Sequence, residues 1–257
     1  MEKQALKDFL DRKVEHYNHV HFTEEDPVCI PHQFTLLQDR EIAGFFTAIF
    51  SWGNRTAIIN SSRRLMLLMD SAPYDFILNH QEKDLSRFLS FCHRTFNATD
   101  LLYFISFFKE YYSSVISLES AFSAHLSESD KTVEKALNGF HNIFFAGEHP
   151  ERTRKHISTP AKNSACKRLN MFLRWMVRRD HQGVDFGIWK NIAPSQLVCP
   201  LDIHVARVAQ RLSLISSGQA NWKTAVALTD ELRKFDPVDP VKYDFALFGL
   251  GIEEHFI

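Results

Sequence analysis

Within residues 166–177 the apolar side chains fall at Cys166, Leu169, Phe172, Leu173, Met176 and Val177. That is the i, i+3, i+4, i+7 spacing of a helix buried along one face. Lys167, Arg174 and Arg178 stand at i, i+7 and i+11, so the spacing predicts one packed side and one cationic side. The same period recurs along the chain. Leu6, Phe9, Leu10 and Val14 mark a helix within residues 1–19. Ile42, Phe45, Phe46, Ile49 and Phe50, then Ile58, Leu65 and Leu68, mark two more, broken at 51–55 where Gly53 and Asn54 tolerate positive φ. With nine glycines and nine prolines in 257 residues, turn-forming positions are scarce, which favours long helices over many short strands. The expected fold class is all-α.

A hydrophobic content of 45% is enough for a real core, either as one domain or as two lobes sharing a cleft. Most of the 23 phenylalanines belong to it, and the aromatics of LLYFISFFKEYYSSVI are expected at the hydrophobic centre of one lobe. No stretch reaches the roughly 18 consecutive apolar residues of a membrane span. The start MEKQALKDFLDRK is charged and amphipathic, so a cytoplasmic protein without membrane contact is expected.

Residues 21–34, with Pro27, Pro31 and an acidic run, read as a loop, and 71–146 as further helices. Residues 148–163 are polar and basic and read as a mobile loop, after which Ser164 can cap the helix running to Arg179. Gly183 and Gly187 are hinge candidates, and NWKTAVALTDELRKF and DPVDPVKYDFALFGLGI supply two last helices, the second ending at 249–251.

Cys29, Cys92, Cys166 and Cys199 form no C-x-x-C pair, so neither a zinc site nor an iron–sulfur cluster is expected. His16, His19 and His21 lack carboxylates at ligand spacing, and no metal or other cofactor is expected. No Walker loop or G-x-G-x-x-G occurs, which argues against nucleotide-dependent phosphoryl transfer and Rossmann binding. Net charge is -1, yet residues 152–179 hold nine Lys/Arg (Arg152, Arg154, Lys155, Lys162, Lys167, Arg168, Arg174, Arg178 and Arg179) and no Asp or Glu. Such a stripe is either a solvated face or the footprint of a polyanion-binding surface. Lys167 opens its helix, where the helix dipole, Arg168, Lys162 and partial burial are all expected to disfavour the ammonium form, making a nucleophile.

In LVCPLDIHVARVAQRL, Pro200 leads into Asp202, and Val205, Val208, Ala209 and Leu212 form a buried stripe with Arg207 and Arg211 outside. Asp202 is thus placed either as a helix cap or as a catalytic carboxylate. The segment PLDIHVARVAQRL resembles the Val-Asp-x-His/Arg-Val-x-Arg-Val helix start of the helix-hairpin-helix DNA glycosylase superfamily, which includes endonuclease III and the 8-oxoguanine glycosylases. Asp202 matches that family's catalytic aspartate. FSWGNRTAIINSSRRL is similar to the helix corner that penetrates DNA at the extruded base, with Asn54 and Arg55 matching. YDFALFGLGI resembles the helix lining the base pocket. RLNMFLRWMVR and DPVKYDFALFGLGI also suggest an uncharacterised bacterial family of this type. The usual Leu-Pro-Gly-Val-Gly hairpin and its lysine are absent, as are the cluster cysteines of endonuclease III. The chain is nearer the archaeal 8-oxoguanine glycosylase branch, whose lysine opens a helix upstream, and Lys167 in CKRLNMFLRWM lies 35 residues before Asp202.

The resemblance implies a two-lobed helical fold with a central cleft, a terminal lobe of residues 1–40 plus 196–257 and a central lobe of 41–195. It implies a base-excision glycosylase with AP-lyase activity that flips a damaged base, such as an oxidised purine, out of duplex DNA, with Lys167 and Asp202 catalytic. Asn54, Arg55, Arg168, Arg174, Arg178 and His204 would contact DNA, and Trp175, Trp189 and Phe248 are candidate stacking groups. The alternatives are a non-catalytic nucleic-acid-binding protein on the same scaffold and a helical protein-interaction module. Oligomeric state is not readable from the chain.

Overall fold

Asn54, Asn97, Asp202 and Asn221 each turn a side-chain oxygen back onto an amide of the helix that follows, and these caps set where four of the helices begin. The computed structural model describes residues 2–252, 254 and 256. Its first helices are α1 (Lys3–Tyr17), α2 (Phe22–Glu25), α3 (Leu37–Phe50), α4 (Arg55–Leu68), α5 (Pro73–Asn79) and α6 (Ala98–Tyr112). There follow α7 (Glu119–Ser123), α8 (Glu134–Phe144), α9 (Lys167–Val177), α10 (Ile203–Arg211), α11 (Trp222–Arg233) and α12 (Tyr243–Ile252). The fold is all-α apart from a small antiparallel pair, β1 (Cys92–His93) and β2 (Phe96–Asn97), with Cys92 opposite Asn97. Among the described residues, no helix is long and apolar enough to cross a membrane.

Helix α3 runs through the core, with Ile42, Phe45, Phe46, Ile49 and Phe50 all inaccessible to solvent or nearly so, and packs on both α4 and α9. The Phe45 ring meets Phe108, Phe140 and Phe172 edge-on at 5.3–5.5 Å, a geometry favoured by the ring quadrupoles. Glu41 sits in the same interior because its carboxylate is fully used. It accepts from Tyr112 Oη at 2.8 Å, Trp189 Nε1 at 2.7 Å, the Leu118 amide at 3.0 Å and Ser117 Oγ. Burial still pushes its pKa above the usual range. Helices α1 and α12 meet where Gly249 lies against Tyr17; a Cβ at Gly249 would stand 2.3 Å from that ring. Helix α12 packs in turn on α10.

Three regional expectations need correction. Residues 21–34 contain α2 and two 3-10 turns, Pro27–Cys29 and Pro31–Gln33. Residues 71–146 include the β pair and the 3-10 turn Glu82–Phe88 besides their helices. Residues 148–163 are not an open loop but two 3-10 turns, Glu151–His156 and Pro160–Lys162, with Thr153 and His156 buried. The cause is Asp100, which is inaccessible to solvent, accepts from Thr153 Oγ1 at 2.8 Å and pairs with Arg152 at 2.6 Å. The last helix also continues through 249–251 to Ile252.

The expected cationic face of α9 is buried at Arg174 and Arg178, while Lys167 stays partly exposed. Arg174 is 6% and Arg178 2% exposed. Arg174 pairs with Asp244 and, at 3.3 Å, with Asp185; Arg178 pairs with Asp180 at 2.7 Å, Asp185 at 3.0 Å and Asp239 at 2.9 Å. Neither is available to DNA, because desolvated guanidinium groups need fixed carboxylate partners and these have been supplied from within.

Replacing Arg174 by Met strands Asp244, leaves Asp185 to Arg178 alone, and should destabilise the protein by about 3–5 kcal/mol in urea denaturation. The exposed Arg179→Met should fall within about 0.5 kcal/mol of wild type. His156 yields a pH signature. Burial lowers its pKa from 6.5 to about 4, with Arg168 and Lys155 adding to the effect against the pull of Asp100. The unfolded chain therefore takes up this proton first, so the contribution is full above pH 6.5 and is lost as pH falls toward 4. In denaturation at successive pH values, His156→Gln should show a shallower loss of stability across that window.

Candidate active site

Three chain corners converge on one point. The α3–α4 corner turns at Gly53, whose φ of 102° is open to glycine, and ends where Asn54 Oδ1 accepts the Ala57 amide at 3.1 Å. Helix α9 opens from Cys166 in the left-handed conformation (φ 48°), not from Ser164, whose Oγ accepts the Cys166 amide instead. Helix α10 opens at Asp202.

Asp202 uses its two oxygens differently. Oδ1 accepts the Val205 amide at 2.9 Å and caps α10, while Oδ2 meets Lys167 Nζ at 2.8 Å. The expected helix cap is thus the work of Oδ1 alone, and Oδ2 is left to face Lys167. Their side chains are 30% (Lys167) and 22% (Asp202) exposed, partly desolvated yet open to a ligand. Burial raises the Asp202 pKa, but the Lys167 ammonium, the Val205 amide and His204 outweigh it and hold the carboxyl below its usual range. Where the sequence pictured Lys167 among cations, the fold gives it an anionic partner.

The pair sits on a cleft of about 390 Å³ walled by Trp52, Arg55, Met171, His204, Phe248 and Asp26. The cleft deepens into a recess of about 40 Å³ bordered by Asp26, Arg174, Trp175 and Asp244. It opens outward into a groove of about 530 Å³ flanked by Lys155, Ser158, Ser164 and Arg168. Lys167 borders all three. Burial pushes the Asp244 pKa up to about 6 against the opposing pull of Arg174, and raises that of Asp26 as well. Arg168 donates to the Ile49 carbonyl at 2.8 Å, has no carboxylate partner among the described residues, and is lowered to about 10 by burial.

Of the residues expected at the site, Lys167, Asp202, Arg55 and His204 share the cleft, and Arg168 stands on its outer groove. The Arg55 guanidinium lies 5.7 Å from the centre of the Phe248 ring, and Phe248 is half-buried. Asn54 is exposed at the corner, with its carbonyl engaged in capping α4. Trp189 is buried against Glu41 and cannot stack on a ligand; Trp175, fully buried, touches the site only at the recess. The basic stripe is thinned from within. Arg152 and Arg154 pair with Asp100 and Glu151, and Arg174 and Arg178 join the buried cluster. Asp26, Asp244 and Trp52 were missed. The one local signal was Asp26 before Pro27, the pattern of a capped turn. The cysteines are free thiols, and among the described residues no group of three or more His, Cys, Asp or Glu is arranged to hold a metal ion.

The family described as protein of unknown function (DUF2400) matches residues 26–253. The chain belongs to the DUF2400 family. Every wall residue of the cleft, from Asp26 to Ile252, falls inside the DUF2400 match, whereas α1 lies outside it. No curated protein and no solved structure shows significant similarity to the chain.

Asp202→Asn keeps an acceptor for the Val205 amide, whereas Asp202→Ala removes it. Urea unfolding should therefore show the alanine variant less stable than the asparagine variant by about 1 kcal/mol.

Proposed function

We propose that this protein is a DNA base-excision glycosylase with AP-lyase activity, a divergent member of the helix-hairpin-helix glycosylase superfamily. The observation that carries the reading is the 2.8 Å contact between Lys167 Nζ and Asp202 Oδ2 at the mouth of a cleft. An amine nucleophile needs a nearby base, and a fixed carboxylate stabilises a cationic sugar transition state. In this reading the terminal helices and the central helices form two lobes, and duplex DNA lies across the cleft between them. Lys155, Lys167 and Arg168 face its phosphates, and a damaged base is flipped inward against Phe248.

The chemistry balances with the residues present. Asp202 accepts a proton from the Lys167 ammonium, and the freed amine forms a bond to the sugar C1′. The bond from C1′ to the base nitrogen breaks, and the base leaves with the electron pair and takes the proton held by Asp202. The bound amine gives a proton to the ring oxygen as the C1′–O4′ bond opens, leaving a protonated imine on Lys167, and loss of the C2′ proton then expels the 3′ phosphate and cuts the strand.

Borohydride should trap the protein covalently on a duplex containing an abasic site, and Lys167→Gln should abolish the adduct. Asp202→Asn should slow base release by about 10²-fold or more while its unfolding transition stays close to wild type. Salt-dependent duplex binding without any adduct would mark a non-catalytic nucleic-acid-binding protein. Absence of binding even at low salt would mark a protein-interaction module.

A further inference from the structure

We propose that the groove between α6 and the end of α8 is a docking site for a basic, arginine-bearing segment of a partner protein. The proposal does not depend on the reaction assigned above, since this groove of about 470 Å³ shares no bordering residue with the cleft, its recess or its outer groove.

The floor of the groove is aromatic. Tyr103, Phe107 and Tyr111 stand at i, i+4 and i+8 on α6, so the helical period puts the three rings on one face, and each is half-buried rather than withdrawn into the core. Hydrogen bonds hold two of them. Tyr103 Oη donates to the Phe144 carbonyl at the end of α8, and Tyr111 Oη bonds Ser120 Oγ at 2.7 Å. The Phe107 ring lies 5.7 Å from that of Tyr111 and 4.4 Å from that of Phe144. The rings are fixed before a ligand arrives, so little rotamer freedom is lost on binding.

The rim is anionic. Glu110 in the last turn of α6 and Glu148 just beyond α8 border the groove, and both are exposed. Among the described residues neither has an ion pair, and no Lys, Arg or His borders the groove. Both carboxylates stand at helix C-termini, where the negative end of the dipole favours a cation and disfavours a further anion. The neighbouring cations are committed elsewhere. Lys109 donates to the His80 carbonyl at 3.1 Å, and Arg154 lies over the Phe145 ring and pairs with Glu151 at 3.1 Å.

A guanidinium supplied from outside meets both features at once, with carboxylates to pair with and ring faces to lie over. The same charge repels phosphate, which sets this surface apart from the cationic groove beside the cleft. From Tyr103 to Val115 α6 rises about 18 Å, the reach of about five or six extended residues. The occupant is therefore a chain segment rather than a single side chain.

The test titrates the full chain against a fluorescein-labelled peptide alternating arginine and leucine, read by anisotropy at low salt, beside a peptide with glutamate in place of arginine. The arginine peptide should bind with a micromolar Kd and the glutamate peptide should not bind. Glu110→Lys combined with Glu148→Lys should weaken binding at least about tenfold. Glu82→Lys combined with Glu128→Lys makes the same charge change at exposed positions elsewhere and should stay within about twofold of wild type. Both pairs alter exposed side chains, so the fold is not at stake. Phe107→Leu keeps an apolar floor without the ring face and should weaken binding about threefold. Failure of the arginine peptide to bind, equal weakening by the two charge pairs, or unchanged affinity in a folded Phe107→Leu overturns the site. Self-association in sedimentation that the Glu110 and Glu148 substitutions abolish would assign the groove to a second copy of this chain and overturn the separate partner.

Discussion

The buried ion cluster of Arg174 and Arg178 with Asp180, Asp185, Asp239 and Asp244 holds the site together. Helix α9 carries Lys167 in its first turn and Arg174 in its last, while α12 carries Asp244 in its first turn and Phe248 one turn further on. The Arg174–Asp244 pair therefore sets the distance between the lysine and the aromatic wall of the cleft. Desolvated charges make this junction selective, since few alternative packings satisfy two guanidinium groups and four carboxylates at once. The Gly249–Tyr17 contact anchors the same helix from its other side.

Around that frame the cleft is divided by charge. Its outer groove is cationic, with Lys155 and Arg168, whereas its inner recess is bordered by the carboxyl groups of Asp26 and Asp244. Lys167 and Asp202 stand at the junction. Asp202 links the division to the fold, since the oxygen that caps α10 orients the oxygen that meets Lys167.

Much of this was legible because it is local. The apolar period of residues 166–177, the corner at 51–55 and the placement of Asp202 before an amphipathic helix all appear as expected. Where sequence and structure part, the cause is the same. The spacing of Arg174 and Arg178 predicts a surface face, but their partners come from 180, 185, 239 and 244. The polar composition of 148–163 predicts mobility, yet Asp100 on α6 collects Arg152 and Thr153 and orders the first turn. Asp26 lies in an acidic stretch beside the exposed Glu24 and Glu25, and only the Pro27 that follows sets it apart locally.

The sequence by itself determined the helices, the Asp202 cap and the residue types available for chemistry, because those follow from interactions a few residues apart. Only the tertiary structure decided which cations are neutralised inside and which face the cleft. It also decided that Lys167 and Asp202 touch, though 35 residues separate them. That contact depends on α9 packing against α3 and on α10 packing against α12. Periodicity states which face of each helix is apolar, but not which neighbour will cover it.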